Sequence, residues 1–312
     1  MKKPLVSVIC LCYNQSKFVI ESLDSVLNQN YDSVELIIVD DASTDGSKKV
    51  IKNWLKNYPE VPFLDLPKNL GNTEAFNQGL SLAKGKYIID LAADDMLLNN
   101  RIAEQVIFFE KQRANVGVIY SDTHYMDENG HLLYTHFEGL NLVPFEGDVY
   151  ERLIDTYFVP TPTMMVRSDV LTELSGYDES LAYEDFDFWI RSSRKWHYAY
   201  QPEVLTATRL VSGSQSTFFY HQNDKKLFST LKVCRKIQHL NKCKEEDLAL
   251  SRRVKYEIRH AFLAGKKAEL NGFFSLLKEL SHIPIKYKVI QCIGQLGFNW
   301  NWMKNPIYFI KK

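Results

Sequence analysis

Two pairs of adjacent aspartates each follow directly on a short apolar run, and this repeated pattern constrains the fold more than any other feature of the sequence. Asp40-Asp41 follows the run VELIIV, and Asp94-Asp95 follows YIIDLAA. Short β-branched runs of this kind are typical of buried parallel strands. Open α/β sheets bind ligands at the carboxyl edge of such strands. We therefore expect the carboxylates at that edge, where a divalent cation carrying a diphosphate would offset their repulsion.

The composition is that of a soluble globular enzyme rather than a membrane or disordered protein. The chain has 312 residues, of which 45% are hydrophobic and 24% charged, which allows one large or two smaller domains. No apolar run reaches the roughly 18 residues of a spanning helix, and no signal-peptide pattern precedes the first strand. The 5 cysteines lack metal-ligand spacing and are odd in number, which favours a reducing, cytoplasmic environment.

Alternating strand and helix patterns over the first ~120 residues predict a parallel sheet covered on both faces. Predicted strands span residues 5–12, 34–39, 61–66, 86–91 and 116–120, and predicted helices 17–29, 43–55 (with Ser43 as N-cap), 72–84 and 101–113. Further on we expect a hairpin turn at 127–130, helices at 168–176 and 184–195, strands at 198–200 and 204–210, and helices from about residue 218. The sequence thus predicts a catalytic domain at 1–220 and a helical region at 221–312.

Five segments in order resemble the family-2 glycosyltransferases, inverting enzymes with the GT-A fold. The five are VSVICLCYN, VDDASTDG, the turn NLG, the acidic AADDM, and GYDE followed by YEDFDFWIR. The resemblance covers residues from about 4 to 215. It implies a Rossmann-like, mostly parallel central sheet with helices on both faces, and a nucleotide diphosphate sugar as donor.

Tyr13 and Asp41 are candidate contacts to the nucleotide base. An aromatic just past the first strand can stack on a planar base, but Tyr13 is equally well explained as a loop aromatic that closes the core. A carboxylate at Asp41 can accept a hydrogen bond from the imide of uracil, or it can cap the helix that follows Ser43. By resemblance, both residues fall on the family's base-contacting positions.

Asp94 and Asp95 fall on the family's metal-binding acidic motif. Mg²⁺ or Mn²⁺ is held there by few protein oxygens and several phosphate oxygens, with Asp95 as metal ligand and Asp94 as a donor contact. Many members carry a further acid where this chain has Ala92. The alternative is that the pair is a solvated N-cap of the next helix.

Asp185 matches the family's catalytic base. It opens an aromatic-rich helix, and Phe186, Phe188 and Trp189 supply apolar surroundings that raise the pKa of a carboxyl, as a base near a sugar hydroxyl requires. The alternative is that Glu184 and Asp185 only complement the helix dipole.

Arg209 falls where family members contact the donor diphosphate, and a plain ion-pair role is its alternative. A histidine that often serves as third metal ligand is replaced here by Val211 and Ser212. The resemblance therefore implies a metal that binds tightly only together with nucleotide.

The tail is basic and aromatic. From Asp224 onward the chain carries about 19 Lys and Arg against about 7 Asp and Glu, a net charge of about +12 that the rest of the chain balances. Trp300, Trp302, Tyr308 and Phe309 stand among lysines. Such helices can rest on an anionic membrane or pack on the catalytic domain with a solvated lysine face, and both interpretations stay open.

The sequence predicts a metal-dependent, hexosyltransferase-type enzyme that uses a nucleotide diphosphate sugar, UDP-linked by preference. The resemblance implies a glycan or lipid-linked acceptor, surface-polysaccharide assembly, and a cytoplasmic site at the inner face of the plasma membrane; no nucleic-acid partner is expected. A nucleotidyltransferase and a catalytically silent GT-A scaffold are the alternatives. Neither a Gly-rich phosphate loop nor a dinucleotide fingerprint is found.

Overall fold

The chain divides into two compact units, each built from separate segments. A computed structural model describes residues 3–211 and 225–295. The first unit comprises Met1–Val149, Phe158–Glu179 and Arg191–Ser212, and the second comprises Tyr150–Tyr157, Ser180–Ile190 and Gly213–Lys312. The predicted boundary at residue 220 lies outside the described residues and stays a prediction.

The first unit is built on one mixed sheet. Its strands are β1 (Val6–Cys12), β2 (Val34–Asp40), β3 (Phe63–Asp65), β4 (Tyr87–Ala92), β5 (Met96–Leu97), β6 (Val116–Met126), β7 (Leu132–Thr135), β8 (Met165–Arg167) and β9 (His197–Arg209). Their order across the sheet is β3-β2-β1-β4-β8-β6-β9-β5, and β7 pairs with β6. The β3-β2-β1-β4 half is parallel, whereas β8 runs antiparallel to both of its neighbours.

The described residues of the two units also form helices and one 3₁₀ turn. In chain order the helices are α1 (Val19–Leu27), α2 (Ser47–Trp54), α3 (Asn72–Leu80), α4 (Arg101–Glu110), α5 (His136–Leu140), α6 (Tyr150–Asp155), α7 (Ser168–Leu174), α8 (Asp185–Ser193), α9 (Lys226–Leu240), α10 (Lys244–Leu263), α11 (Lys267–Leu280) and α12 (Ile285–Gly294). The 3₁₀ turn is Thr161–Thr163.

The parallel half of the sheet is covered on both faces because β1 is apolar on both sides. Val8 and Cys10 point into a core cluster that also contains Leu23 of α1. Ile9 points to the opposite face, where α3 packs so closely that a Cβ added at Gly79 would lie 2.6 Å from Cγ2 of Ile9. The α/β fold class with a helical C-terminal region is confirmed.

Local predictions were wrong in two places. The two short strands predicted at 198–200 and 204–210 form one strand, β9, because its long pairing with β6 absorbs the irregularity between them. Ser43 is not an N-cap, since α2 begins only at Ser47 and has Gly46, at φ 101°, as its N-cap. The side chain of Ser43 instead accepts a hydrogen bond from the Asn14 amide.

The second unit gathers the C-terminal helices around two short segments from the middle of the chain. Leu250 and Val254 of α10 are fully buried, as are Phe273 and Leu277 of α11. The hydroxyl of Tyr150 in α6 donates a 2.9 Å hydrogen bond to Asn241, after α9. Within residues 3–211 and 225–295, no helix combines the length and apolar character needed to span a membrane.

Candidate active site

The loops after β1 and β2 are joined by a network of short hydrogen bonds. The Asp41 amide donates to the carbonyl oxygen of Cys12 at 2.9 Å. The Asn14 amide donates to Oγ of Ser43 at 2.9 Å, and the Thr44 amide donates to Oδ1 of Asn14 at 2.8 Å. Asn14 adopts φ 58°, a left-handed conformation that asparagine tolerates better than most residues. The two strand ends therefore form one braced rim at the carboxyl edge of the sheet.

Tyr13 lies on this rim with 47% of its surface exposed. It therefore does not close the core, the alternative that the sequence left open. A half-exposed ring on a braced loop presents a face on which a planar ligand can stack.

Asp41 is buried, and both of its carboxylate oxygens accept backbone hydrogen bonds. The Leu70 amide donates to Oδ1 at 2.6 Å, and the Gly71 amide donates to Oδ2 at 2.9 Å. Gly71 is the N-cap of α3, so Asp41 holds the entrance to α3 and does not cap the helix that follows Ser43. Each oxygen can still accept a second hydrogen bond, which leaves room for a ligand donor.

Asp94 and Asp95 form the turn between β4 and β5. The Asp95 amide donates to the carbonyl oxygen of Ala92 at 3.0 Å, and Nε2 of Gln15 donates to Oδ2 of Asp94 at 2.9 Å. Burial raises the pKa of Asp94. Burial and the neighbouring charge of Asp94 raise the pKa of Asp95 well above its ordinary value. The charged forms of the two carboxylates are therefore disfavoured by burial and by mutual repulsion, and a bound cation would offset both effects.

Arg209, the last residue of β9, is bonded directly to this pair. Its backbone amide donates to Oδ1 of Asp95 at 2.9 Å, and its Nε donates to the carbonyl oxygen of Asp94 at 3.1 Å. Its guanidinium pairs with Glu21 at 2.6 Å and stacks 4.5 Å above the ring of Phe18. With 5% of its surface exposed, Arg209 supports the acidic turn from within the protein.

Arg101 is a second buried cation, and the sequence did not predict it. It is fully buried at the start of α4, and its guanidinium donates to Gln105, Thr206 and the carbonyl oxygen of Met164 at 2.9–3.1 Å. Burial lowers the pKa of Arg101 to about 9, and the charge of Asp95 counters that shift. An arginine at the first position of a helix carries no sequence signal that distinguishes it from a solvated one.

The acidic turn offers two protein ligands to a metal. Among residues 3–211 and 225–295 no group of three or more His, Cys, Asp or Glu side chains is arranged to hold an ion. Ser212, one of the two residues at the family's histidine position, lies outside that range. Carboxylate oxygens are nevertheless the ligands that Mg²⁺ and Mn²⁺ prefer, and Mg²⁺ commonly takes one or two carboxylates plus substrate phosphates. The residues present therefore fit a metal that binds together with a diphosphate.

Asp185 belongs to the second unit, where it begins α8. Its Oδ1 accepts a 2.7 Å hydrogen bond from the Phe186 amide. Asp185 as a residue is only partly buried, while its neighbours Phe186, Phe188 and Trp189 are buried. Burial raises the pKa of Asp185, and the nearby charges of Arg253 and Lys226 oppose part of that rise. Asp187, two residues further along, is buried and pairs with Lys236 at 2.6 Å.

The structure thus gathers Asp94, Asp95 and Arg209 directly around one turn of the first unit. Tyr13 and Asp41 stand on the adjoining strand ends of that unit, and Asp185 stands in the second unit. The catalytic and binding roles of these six residues stay predictions.

The family model for glycosyl transferase family 2 matches residues 7–175, more than half of the chain, and the chain belongs to that family. An uncharacterized glycosyltransferase of Methanocaldococcus jannaschii is 34% identical over 200 residues, which are 61% of this chain and 65% of that protein. One of Haemophilus influenzae is 27% identical over 227 residues, 71% of this chain and 70% of that protein. The match therefore spans just under two thirds of the M. jannaschii relative.

Solved structures place the fold among the GT-A transferases. S. aureus TarS 1–349, in complex with UDP-GlcNAc, superposes with a TM-score of 0.62 at 16% identity, over 94% of this chain and 92% of that one. The mannosyltransferase PcManGT from Pyrobaculum calidifontis, in complex with GDP-Man and Mn²⁺, gives a TM-score of 0.60 at 15% identity, over 98% and 89%. At these identities the likeness establishes the fold and leaves the substrate of this chain open.

Proposed function

We propose that this chain is an inverting glycosyltransferase that moves a sugar from a UDP-linked donor to an acceptor hydroxyl. The observation that carries the proposal is the acidic turn of Asp94 and Asp95, braced by Arg209 at the same sheet edge as Tyr13 and Asp41. The family membership gives the reaction class. The nucleotide preference is supported by a fold neighbour that was solved with UDP-GlcNAc.

The donor is held by side chains of the first unit. Tyr13 stacks on the base, and the carboxylate of Asp41 accepts the imide N–H through a lone pair that the Leu70 and Gly71 amides leave open. Asp94 contacts the ribose. Arg209, whose guanidinium is occupied by Glu21 and the Asp94 carbonyl oxygen, contributes to donor binding by holding the acidic turn in shape.

Asp95, with Asp94 beside it, is the ligand for Mg²⁺ or Mn²⁺ in this proposal. A divalent ion supplies Lewis-acid stabilisation of the departing diphosphate, which is often the larger electrostatic share of catalysis in such sites. A fold neighbour was solved with GDP-Man and Mn²⁺, which supports metal dependence. The protein's own contribution is to keep two carboxylates close despite their repulsion.

Asp185 is the catalytic base. It accepts the proton of the acceptor hydroxyl while that oxygen attacks the anomeric carbon and the nucleoside diphosphate departs from the opposite side. A single displacement inverts the anomeric centre and needs no enzyme nucleophile. The raised pKa of Asp185 suits a base, because a more basic carboxylate takes a proton more readily.

The acceptor is a glycan or a lipid-linked sugar, and the setting is cell-surface polysaccharide synthesis at the cytoplasmic face of a membrane. On α12 the side chains of Ile285, Val289 and Ile293 recur every four residues and are 79%, 52% and 41% exposed. Lys286 and Lys288 flank this apolar stripe. Apolar residues beside lysines on one helix match an anionic lipid surface, so we assign the stripe a peripheral membrane contact.

Two other classes make different predictions. A nucleotidyltransferase catalyses attack on phosphorus and transfers the nucleotidyl group, so it would release pyrophosphate from a nucleoside triphosphate or a sugar phosphate from a nucleotide sugar. A catalytically silent scaffold would bind donor without turnover. The loop after β1, with the sequence Asn14-Gln15-Ser16-Lys17, contains no glycine and so is not the Gly-rich loop that usually marks a nucleotidyltransferase.

Ligand-induced thermal stabilisation tests the donor site. The melting temperature is measured with UDP, GDP, dTDP, CMP and NAD, each with and without Mn²⁺. A ligand that binds only the folded state at ~100 times its dissociation constant adds about 2.7 kcal/mol. We expect a Mn²⁺-dependent rise with UDP. No rise with any nucleoside diphosphate would contradict the proposed site.

A further inference from the structure

Arg253 of α10 lies at the centre of a buried cluster in the second unit. Its side chain is 5% exposed and pairs with Glu257, one helical turn further on, at 3.2 Å. The guanidinium carbon lies 4.0 Å from the ring centre of Tyr157 and 4.6 Å from that of Phe186. Among the described residues its Nε and Nη2 have no hydrogen-bond partner. A buried guanidinium with two such nitrogens costs free energy of folding, so we expect Arg253 to have a functional role that offsets this cost.

The cluster packs against Phe186, the residue next to the candidate base Asp185. Tyr157 makes edge contacts with Phe186 at 5.2 Å and with Trp189 at 5.5 Å, both on α8. The hydroxyl of Tyr183 forms a 2.6 Å hydrogen bond with Thr230 of α9. The ring of Tyr157 and the guanidinium of Arg253 therefore both pack on Phe186, in the first turn of α8.

We propose that Arg253 is a positioning residue for Asp185: held by the rings of Tyr157 and Phe186 and paired with Glu257, it keeps the base oriented and negatively charged. This inference rests on the proposed role of Asp185. Because Arg253 is buried, we assign it an effect on Asp185 and no contact with substrate.

Several charged and titratable groups of the second unit act on the charge of Asp185. Arg253 and Lys226 are the cations, Tyr157 and Tyr183 are neutral phenols whose own pKa values are raised by burial, and Glu257 is the anion that partly offsets Arg253. Removing the charge of Arg253 leaves Asp185 with less compensation for its burial. Removing the charge of Glu257 does the opposite.

The test is the pH profile of kcat/KM for sugar transfer in four variants. In Arg253→Gln the acidic limb should move to higher pH by about one unit, the lower end of the range for loss of a neighbouring opposite charge. In Glu257→Gln the limb should move to lower pH. Arg253→Lys should keep the limb near that of the wild type. Arg252→Gln is the matched control, because Arg252 is the adjacent residue, is exposed and pairs with Asp155.

A purely structural role would reduce expression or kcat without moving the limb. An Arg253→Gln protein that folds and keeps the wild-type limb would overturn the inference. If that variant does not fold, an unchanged limb in Glu257→Gln would overturn it instead. Full activity in Asp185→Asn would show that the proposed base is wrong, which is a separate failure. Donor affinity, measured in parallel, should be unchanged in all variants.

Discussion

The backbone amide of Arg209 donates a 2.9 Å hydrogen bond to Oδ1 of Asp95. This bond ties the end of β9 to the acidic turn after β4, two elements more than a hundred residues apart in sequence. The side chain of the same arginine donates hydrogen bonds to the Asp94 carbonyl oxygen and to the carboxylate of Glu21. The geometry of the turn therefore depends on a residue that the family pattern associates with the donor diphosphate.

Arg209→Met should weaken both folding and donor binding. The buried carbonyl oxygen of Asp94 loses a donor, which costs about 1–3 kcal/mol in the free energy of unfolding. Urea denaturation and titration with UDP and Mn²⁺ measure the two effects. Glu21→Gln is the comparison variant, since it changes only the partner of the guanidinium and leaves the hydrogen bonds of Arg209 to Asp94 and Asp95 in place. Equal losses in the two variants would contradict the assignment.

Asp41→Asn should loosen the entrance to α3. Its new NH₂ group faces the Leu70 or Gly71 amide, so one backbone donor loses its acceptor at a cost of about 1–3 kcal/mol. We expect UDP affinity to fall about tenfold, the equivalent of about 1.4 kcal/mol. Asp65→Asn, at the end of neighbouring β3, breaks only the partly exposed pairs with Lys48 and Lys52. Calorimetric titration should find UDP affinity unaltered there; a similar fall in both variants would speak against a base contact.

Asp185→Asn should retain UDP affinity while transfer falls by orders of magnitude. The amide keeps the shape of the carboxyl group but cannot accept the proton of the acceptor. Asp169→Asn is the control, because Asp169 is an exposed acid in the first turn of α7. If first-turn acids act only through the helix dipole, the two variants should lose similar, small amounts of activity, and the base assignment would fail.

Transfer should also lose activity on the acidic side of the pH profile. A base works only when deprotonated, and burial raises the pKa of Asp185 above its ordinary value. The rate should therefore rise as the pH rises through that pKa and should level off above it. A rate independent of pH across the acidic range in which the protein stays folded would contradict this prediction.

Asp90 should make stability depend on pH. It accepts a 3.1 Å hydrogen bond from the hydroxyl of Tyr177, and burial raises its pKa to about 7. The folded state then binds a proton that the unfolded state, with a pKa of about 3.9, has released. This contribution to stability is present below about pH 4 and is lost as the pH rises to about 7, at up to about 1.4 kcal/mol per pH unit.

Asp90→Asn removes that titration. The free energy of unfolding is measured by urea denaturation at pH 5 and at pH 8. It should decrease between these two pH values by less in the variant than in the wild type. Identical pH dependence in the two proteins would show that Asp90 titrates at its ordinary pKa.

The apolar stripe on α12 should carry vesicle binding. Ile285→Asp with Val289→Asp should reduce co-sedimentation with phosphatidylglycerol vesicles at least several-fold, because apolar burial is replaced by two charges that anionic lipid repels. Leu132→Asp on β7 is the control, since Leu132 is 59% exposed in the first unit. Binding that persists in the double variant would remove α12 from the contact. Equal binding to phosphatidylcholine would remove the electrostatic part.

The sequence predicted the parallel half of the sheet because that half is local: each β-branched run is followed by a helix, and each acidic pair marks a strand end. It did not predict β8 between β4 and β6, since pairing between distant strands leaves no local periodicity. It also did not predict that residues 150–157 and 180–190 join the C-terminal helices.

The residues of the candidate site also differ in whether a local sequence pattern reveals them. Asp94, Asp95 and Asp185 are predicted from motifs that stand next to recognisable strands and helices, and their roles stay predictions. The supporting cations Arg101 and Arg253 were missed, because a buried arginine and a solvated one look alike in a sequence. Only the contacts with Thr206 and Gln105, or with the ring of Tyr157, identify them.

Product analysis from a panel of nucleotide sugars tests the central claim most directly. Wild-type protein with Mn²⁺ should release a nucleoside diphosphate from one donor, UDP-linked by our proposal, and Asp95→Asn should release orders of magnitude less. Omission of Mn²⁺ should have the same effect. Release of a nucleoside monophosphate or a sugar phosphate, or no turnover of any donor with any acceptor fraction, would contradict a glycosyltransferase.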